Sequence, residues 1–131
     1  MLTKNQLDKL TLNLKRGRYE TVIIESRRLI KLNPNVAGLY EILGLAYLRS
    51  GETKNAVKFF LRALKIMPNL GSARVNLAKA YFETGKITQA ISTLRNLANT
   101  DYQTEIVRHL LGVALFQNGN FAAAANEFNE L

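Results

Sequence analysis

The feature that most constrains how this chain can fold is a repeat of 34 residues. Gly17, Gly51, Gly85 and Gly119 are separated by 34 residues each, and other residue types recur in register with them. Each glycine follows a segment of helical pattern, where the end of a helix often requires a residue that tolerates positive φ. A period of this length is typical of helical hairpins stacked in a row. The sequence therefore predicts an all-α repeat array.

Small and large residues alternate within each period. Gly44 lies seven residues before one of the periodic glycines and Ala56 five residues after it, and Gly112 and Ala124 repeat this arrangement. Two antiparallel helices can approach closely where a small residue receives a bulky one. We therefore expect Gly44 to face Ala56, and Gly112 to face Ala124. The aromatic residues expected to fill the space between the helices are Tyr47, Phe60, Tyr81 and Phe128.

The same pattern predicts eight helices in four pairs. We expect residues 1–131 to form one array, with repeats at about 3–36, 37–70, 71–104 and 105–131. Because Phe128 and Leu131 continue the apolar stripe to the last residue, we expect the fourth repeat to be truncated. The predicted helices are about 3–16 with 19–32, 36–49 with 53–66, 70–83 with 87–99, and 104–117 with 121–131.

The second period, from Ala37 to Pro68, resembles a copy of the tetratricopeptide repeat. The third departs from that pattern at Arg74 and Tyr102, which replace an aromatic residue and a proline. The resemblance covers the whole chain. It implies a right-handed α-solenoid, a superhelix of antiparallel helix pairs, that acts as a scaffold or adaptor in protein–protein interaction. The matching residues of the second period are Tyr40, Leu43, Gly44, Tyr47, Gly51, Ala56, Phe60, Ala63 and Pro68.

The resemblance also implies that the first helices of the pairs line a concave groove for a peptide or protein segment. Phe82 and Phe116 each follow a core-facing position, Tyr81 or Leu115, so we expect both rings to point away from the core of their own repeat. Of the Lys, Asn and Arg set with which some family members clamp acidic tails, only Asn76 is present. The residues predicted to line the groove are Leu45, Leu48, Arg49, Asn76, Lys79, Phe82, His109, Val113, Phe116 and Gln117.

The positive charge is concentrated in the first half of the chain. The formal net charge is +8, and residues 1–68 hold 13 Lys and Arg against 5 Asp and Glu, whereas residues 69–131 hold 5 of each. Helical spacing places several cations on one face of the second helix in each of the first two pairs. This face is a candidate surface for acidic protein or lipid headgroups, and simple solvation is the alternative. Its residues are Arg28, Lys31, Lys58, Arg62 and Lys65.

No residue pattern in the chain indicates catalysis. There is no cysteine, His109 is the single histidine, and the glycines are isolated rather than grouped into a phosphate-binding loop. We therefore expect no enzyme activity, cofactor or metal site. No signal peptide or membrane-spanning stretch is visible, which predicts a cytoplasmic protein with at most peripheral membrane contact.

The expected partner is a protein or peptide, and self-association through the uncapped C-terminal end is a further candidate. One alternative is that the array is the N-terminal module of a larger bacterial enzyme, similar to repeats that precede sulfotransferase or glycosyltransferase domains. RNA binding, known from the related pentatricopeptide repeats, is less favoured. Periodic exposed aromatic residues, on which bases could stack, are missing from the basic half.

Overall fold

The computed structural model describes every residue from Met1 to Leu131 and contains eight α-helices and no strand. This confirms the predicted all-α class, and every helix end lies within two residues of its predicted position. The helices are α1 (Lys4–Lys15), α2 (Tyr19–Leu32), α3 (Ala37–Arg49), α4 (Thr53–Ile66), α5 (Gly71–Glu83), α6 (Ile87–Ala98), α7 (Thr104–Gln117) and α8 (Phe121–Asn129).

The periodic glycines form the turns within the helix pairs. Gly51 has φ 90° and follows α3, as expected for a residue that ends a helix in the left-handed region. Its N–H donates to the carbonyl of Leu48 at 3.2 Å, and the N–H of Glu52 donates to the carbonyl of Tyr47 at 2.9 Å. The same two hydrogen bonds recur at the other three periodic glycines, all with positive φ. The last carbonyls of each first helix are thereby satisfied.

Contacts divide the chain into two compact units, and the boundary lies inside α5. Unit 1 comprises residues 1–73, where α1 packs on α2 and α3, α2 packs on α3, and α3 packs on α4. Tyr40 on α3 donates from its hydroxyl to the carbonyl of Pro34 at 2.8 Å, which ties α3 to the link before it. One buried cluster of unit 1 contains Leu10, Leu14, Val22, Leu29, Leu39 and Ala46.

Unit 2 comprises residues 74–131, where α6 packs on α7 and α7 packs on α8. An ion pair between Arg108 Nη1 and Glu127 Oε2, at 3.1 Å, joins α7 to α8, and both side chains are about three-quarters buried. The buried cluster of unit 2 contains Val75, Ala78, Ile91, Leu94, Leu97, Val107, Leu111, Ala114, Leu115 and Ala124.

The close approach of helices within a pair occurs at a glycine that faces a phenylalanine ring. A Cβ added at Gly44 would lie 2.6 Å from Cε1 of Phe60, and one added at Gly112 would lie 2.5 Å from Cε1 of Phe128. For both glycines the three nearest atoms belong to that ring, so Phe60 and Phe128 fill the space between the helices as predicted, and they lie nearer to the glycines than Ala56 and Ala124 do. The reason is reach, since a phenylalanine ring extends farther from its own backbone than an alanine methyl group.

The first helix pair exchanges the large and the small residue. Leu10 and Ser26 lie 34 residues before Gly44 and Phe60, so a large residue stands at the glycine position and a small one at the phenylalanine position. Leu10 is 1% exposed and Ser26 is fully buried. The exchange keeps one bulky side chain between the helices, although the Ser26 hydroxyl has no hydrogen-bond partner.

The link before the fourth pair differs from the others. Helix α6 ends at Ala98, whereas α4 ends at Ile66, which corresponds to position 100 in the 34-residue register. The link contains Tyr102 where the two preceding links contain proline, and Gln103 begins α7 as its N-cap with φ 37°. A non-glycine residue pays a penalty of about 1 kcal/mol for this left-handed conformation.

Candidate protein-interaction surfaces

The predicted groove residues of unit 2 lie on α5 and α7 with different exposures. Lys79, His109, Phe116 and Gln117 are exposed, whereas the remaining three are half-buried, namely Asn76, Phe82 and Val113. The first four are therefore free to meet a partner.

Two of these exposed residues line a hollow of about 480 Å³ in unit 2. Lys79 comes from α5 and His109 from α7, and the hollow is completed by Glu105, Ile106, Leu110 and Leu131. Ile106 and Leu131 are 48% and 55% exposed, so the hollow presents apolar surface to solvent between a cation and a carboxylate. A hollow of this size accommodates a few side chains of a peptide.

The prediction of the groove missed four residues of this hollow. Ile106 and Leu110 have the i, i+4 spacing that places both side chains on one face of α7. The nearly all-round apolar pattern of α7 indicated that these two residues would face another surface. Glu105 gave no sequence signal, since it is one of several isolated acidic residues. Leu131 was recognised as part of an apolar stripe, but its place beside α7 depends on tertiary packing.

The rings of Phe82 and Phe116, both expected to point away from the core of their own repeat, differ in exposure. Phe116 is 59% exposed and meets the edge of Phe121, also 60% exposed, at a centroid distance of 5.1 Å. Phe82 instead is half-buried and packs against the core cluster of unit 2. A residue next to a core-facing position is rotated by only about 100° around the helix, so a large ring can still reach the edge of the core.

The predicted groove residues of unit 1 lie on α3. Leu45 is half-buried against the cluster of unit 1, Leu48 is also half-buried, and Arg49 is exposed. Unit 1 has a hollow of its own, of about 360 Å³, which is lined by α1 and α2 and was not predicted. It includes Ile24, which is 64% exposed.

All five residues of the predicted basic surface are exposed, but Arg28 differs from the other four. Arg28 forms two hydrogen bonds with Glu25, at 2.6 and 3.1 Å. This hydrogen-bonded cation lowers the pKa of the Glu25 carboxyl. The charge of Arg28 is therefore matched within its own helix.

A cation that the sequence analysis missed lies beside this surface. The guanidinium carbon of Arg27 is 5.3 Å from the ring centroid of Phe59 and 5.6 Å from that of Tyr47. Its Nε and Nη2 donate to the Tyr47 hydroxyl at 3.0 and 2.5 Å. Arg27 and Phe59 are far apart in the chain, and their meeting depends on how α2 and α4 pack around α3, which no spacing rule predicts.

Two cations of α4 also approach the ring of Phe59. Lys58 Nζ lies 5.6 Å and the Arg62 guanidinium carbon 5.3 Å from its centroid. Phe59 is only 3% exposed and stacks on Tyr47 at 5.6 Å. We call Arg27, Lys58 and Arg62 the cation cluster.

Neither a metal site nor a membrane-spanning segment is found in the structure. No group of three or more His, Cys, Asp or Glu side chains is placed to hold a metal ion. None of the eight helices combines the length and apolar character needed to cross a bilayer.

Several solved structures are similar to this chain in fold. A structure of MamA covers 95% of this chain and 72% of its own, with 20% identity and a TM-score of 0.89, and MamA of AMB-1 gives 25% identity, 95% and 74% coverage and a TM-score of 0.80. PilF of Pseudomonas aeruginosa gives 20% identity, 96% and 58% coverage and a TM-score of 0.88. No curated protein matches.

The family profile described as tetratricopeptide repeat matches residues 47–112, half of the chain. These residues run from the end of α3 into α7, and the solved structures extend the likeness in fold over nearly all of the rest. The predicted fold class is thereby confirmed. The chain belongs to the tetratricopeptide repeat family, whose members generally mediate protein–protein interaction and are typically not catalysts.

Proposed function

We propose that this chain is a non-catalytic scaffold that binds a peptide or protein segment through the faces of its first helices. The observation that carries the proposal is the hollow of unit 2, because two of the predicted groove residues, Lys79 and His109, line it from different helices. A cytoplasmic location is part of the proposal, since a chain without cysteine fits a reducing compartment.

The lining of the hollow indicates which kind of segment it would hold. Ile106 and Leu110 provide apolar surface for one aliphatic or aromatic anchor, and such anchors supply most of the energy of an interface. Lys79 and Glu105 place opposite charges at the hollow, so net charge does not select the ligand. The proposed ligand is a segment with an apolar anchor and neighbouring polar groups.

The exposed rings of Phe116 and Phe121 give the proposal a second contact in unit 2. Both lie at the turn between α7 and α8, and together they present aromatic surface that no residue of the unit covers fully. Aromatic residues are enriched among the side chains that dominate binding energy. Self-association through the end of the chain is a competing use of the same surface.

The test is a selection of peptides from a random library on the full chain, followed by affinity measurements on variants. Ile106→Ala should weaken the selected peptides by about 1–3 kcal/mol, the usual range for an interface anchor. Leu12→Ala on α1 is a matched control, since Leu12 is 45% and Ile106 48% exposed. Equal affinities for both variants and the parent would exclude the hollow as the binding site.

Gel filtration over a range of protein concentrations distinguishes self-association from peptide binding. Under our proposal the chain elutes at one volume whatever its concentration, and the selected peptides bind with one site per chain. A dimer that dissociates on Phe116→Ala, with no peptide selected, would assign the aromatic surface to self-association instead.

A further inference from the structure

We propose that the cation cluster of unit 1 is a second binding surface, specific for an acidic segment of a partner protein. The cluster lies on the second helices α2 and α4. It shares no residue with the hollow of unit 2. The inference is thus independent of the peptide site, and only the choice of a protein partner rests on the role of the family.

The cluster gathers three unmatched positive charges around one ring. Each cationic centre lies within 5.6 Å of the centroid of Phe59, and none of the three side chains forms an ion pair. Like charges gathered around one ring repel one another. An anion bound to the cluster would relieve this repulsion. On a solvated face with evenly spread charges there would be little repulsion for an anion to relieve.

Arg27 is fixed in place by a neutral group. Two N–H groups of its guanidinium donate to the Tyr47 hydroxyl, and its guanidinium carbon lies near two stacked rings. A guanidinium has five N–H donors, so three of them remain for a ligand. Because a hydroxyl carries no charge, Arg27 is oriented without being neutralised. A pre-oriented guanidinium of this kind matches the two oxygens of a carboxylate.

The charge of the chain points to the same unit. Residues 1–73 hold 13 Lys and Arg against 5 Asp and Glu, and residues 74–131 hold 5 of each, so unit 1 carries the whole formal charge of +8. A field of one sign raises the rate at which an acidic partner meets the surface. Short-range recognition by the cluster and long-range attraction by unit 1 therefore act on the same class of ligand.

Nucleic acid fits the cluster less well than an acidic protein segment. Proteins that bind single strands stack bases on exposed aromatic side chains. Here Phe59 and Tyr47 are only 3% and 5% exposed. The cluster thus presents charge and N–H donors but no aromatic face.

The test measures the binding of fluorescent hexaglutamate to the full chain by anisotropy at low salt. Arg27→Gln, Lys58→Gln and Arg62→Gln together should weaken binding at least about tenfold, the loss expected for directed contacts to charged groups. The matched control removes the same charge from exposed residues of α1 and its C-cap through Lys4→Gln, Lys15→Gln and Arg16→Gln. The control variant should bind hexaglutamate no more than about threefold more weakly than the parent, because it loses only non-specific electrostatic attraction. Equal losses in both triple variants would overturn the proposal.

Two single variants test the orientation of Arg27 without removing charge. Tyr47→Phe keeps the ring on which Phe59 stacks and deletes the hydroxyl. Arg27→Lys keeps the charge and deletes the planar set of guanidinium N–H donors. Each should weaken hexaglutamate binding about threefold or more. Full binding by both variants would show that only bulk charge matters, against the proposal.

The class of partner is tested with three other anions. Inorganic phosphate, phosphatidylserine vesicles and an oligothymidine strand are compared with hexaglutamate on the parent and on the triple cluster variant. Hexaglutamate should be the anion whose binding depends most on the cluster. A larger dependence for vesicles or for the strand would assign the cluster to lipid or nucleic acid instead. Ile106→Ala should leave hexaglutamate binding unchanged. A result against the cation cluster can therefore be distinguished from a result against the hollow of unit 2.

Discussion

Replacing Gly44 with Ala should destabilise the chain more than the same change at Gly112, although the two sites look alike in distance. The added Cβ would meet Cε1 of Phe60 at 2.6 Å in one case and Cε1 of Phe128 at 2.5 Å in the other. What differs is the freedom of the ring. Phe60 is fully buried, whereas Phe128 is 38% exposed on the last turns of α8 and can rotate outward.

The magnitude follows from two opposing effects. Alanine in a helix interior is favoured over glycine by about 1 kcal/mol. Overpacking a buried site costs about 1–3 kcal/mol when the neighbours cannot move. Gly44→Ala should therefore lower the free energy of unfolding by about 1 kcal/mol, within a range of roughly 0–2. At Gly112 the outward rotation of Phe128 avoids most of the clash, and the net change should stay within about 0.5 kcal/mol.

The assay is equilibrium unfolding in urea, followed by circular dichroism, with Gly38→Ala as the control. Gly38 lies on α3 like Gly44, but nothing lies within 4 Å of its added Cβ. This control should gain stability by up to about 1 kcal/mol from helix propensity alone. If Gly44→Ala is as stable as the control, or Gly112→Ala loses as much as Gly44→Ala, the reasoning from ring freedom is refuted.

Three further changes have expected outcomes that unfolding and binding experiments can check. Ser26→Ala should raise the free energy of unfolding, by up to about 1–3 kcal/mol, because it removes a buried hydroxyl that has no partner; a lower melting temperature would contradict this. Phe82→Ala should cost about 3 kcal/mol of stability, while Phe116→Ala should leave melting nearly unchanged and weaken the binding of selected peptides by about 1–3 kcal/mol. Equal melting of these two variants would contradict the difference in their packing. Ala56→Leu should overpack a fully buried site at a cost of about 1–3 kcal/mol, and a variant that melts with the parent would show that the site has room.

The fold was predictable from the sequence because its determinants are local and periodic. The positive φ of Gly51 and the proline at position 34 lie beside the helix ends that they help to fix, so spacing alone places those ends. The partner of Gly44 was less predictable. The period shows that a small residue recurs, but the length of the facing side chain decides whether Ala56 or Phe60 fills the space.

The candidate surfaces were predictable only in part, because they depend on contacts between helices. The exposure of Phe116 and the packing of Phe82 arise from the same register position, and only the neighbouring helices make them differ. Arg27 gave no signal at all, since its ring partners belong to α3 and α4. The unpartnered charge that supports our second proposal thus arises from tertiary packing.

The identical turns within the four helix pairs also bear on how such a chain can grow or shrink. Equivalent backbone atoms at Gly17 and Gly119 take part in the same two hydrogen bonds, so a crossover between two such turns would rejoin the chain without a strained joint. The link that ends in Gln103 is a poorer exchange point, because it differs from the other links in the length of the helix before it and in backbone conformation. Duplication or deletion of one period, with its ends in the glycine turns, should therefore be tolerated where a cut at Gln103 would not be.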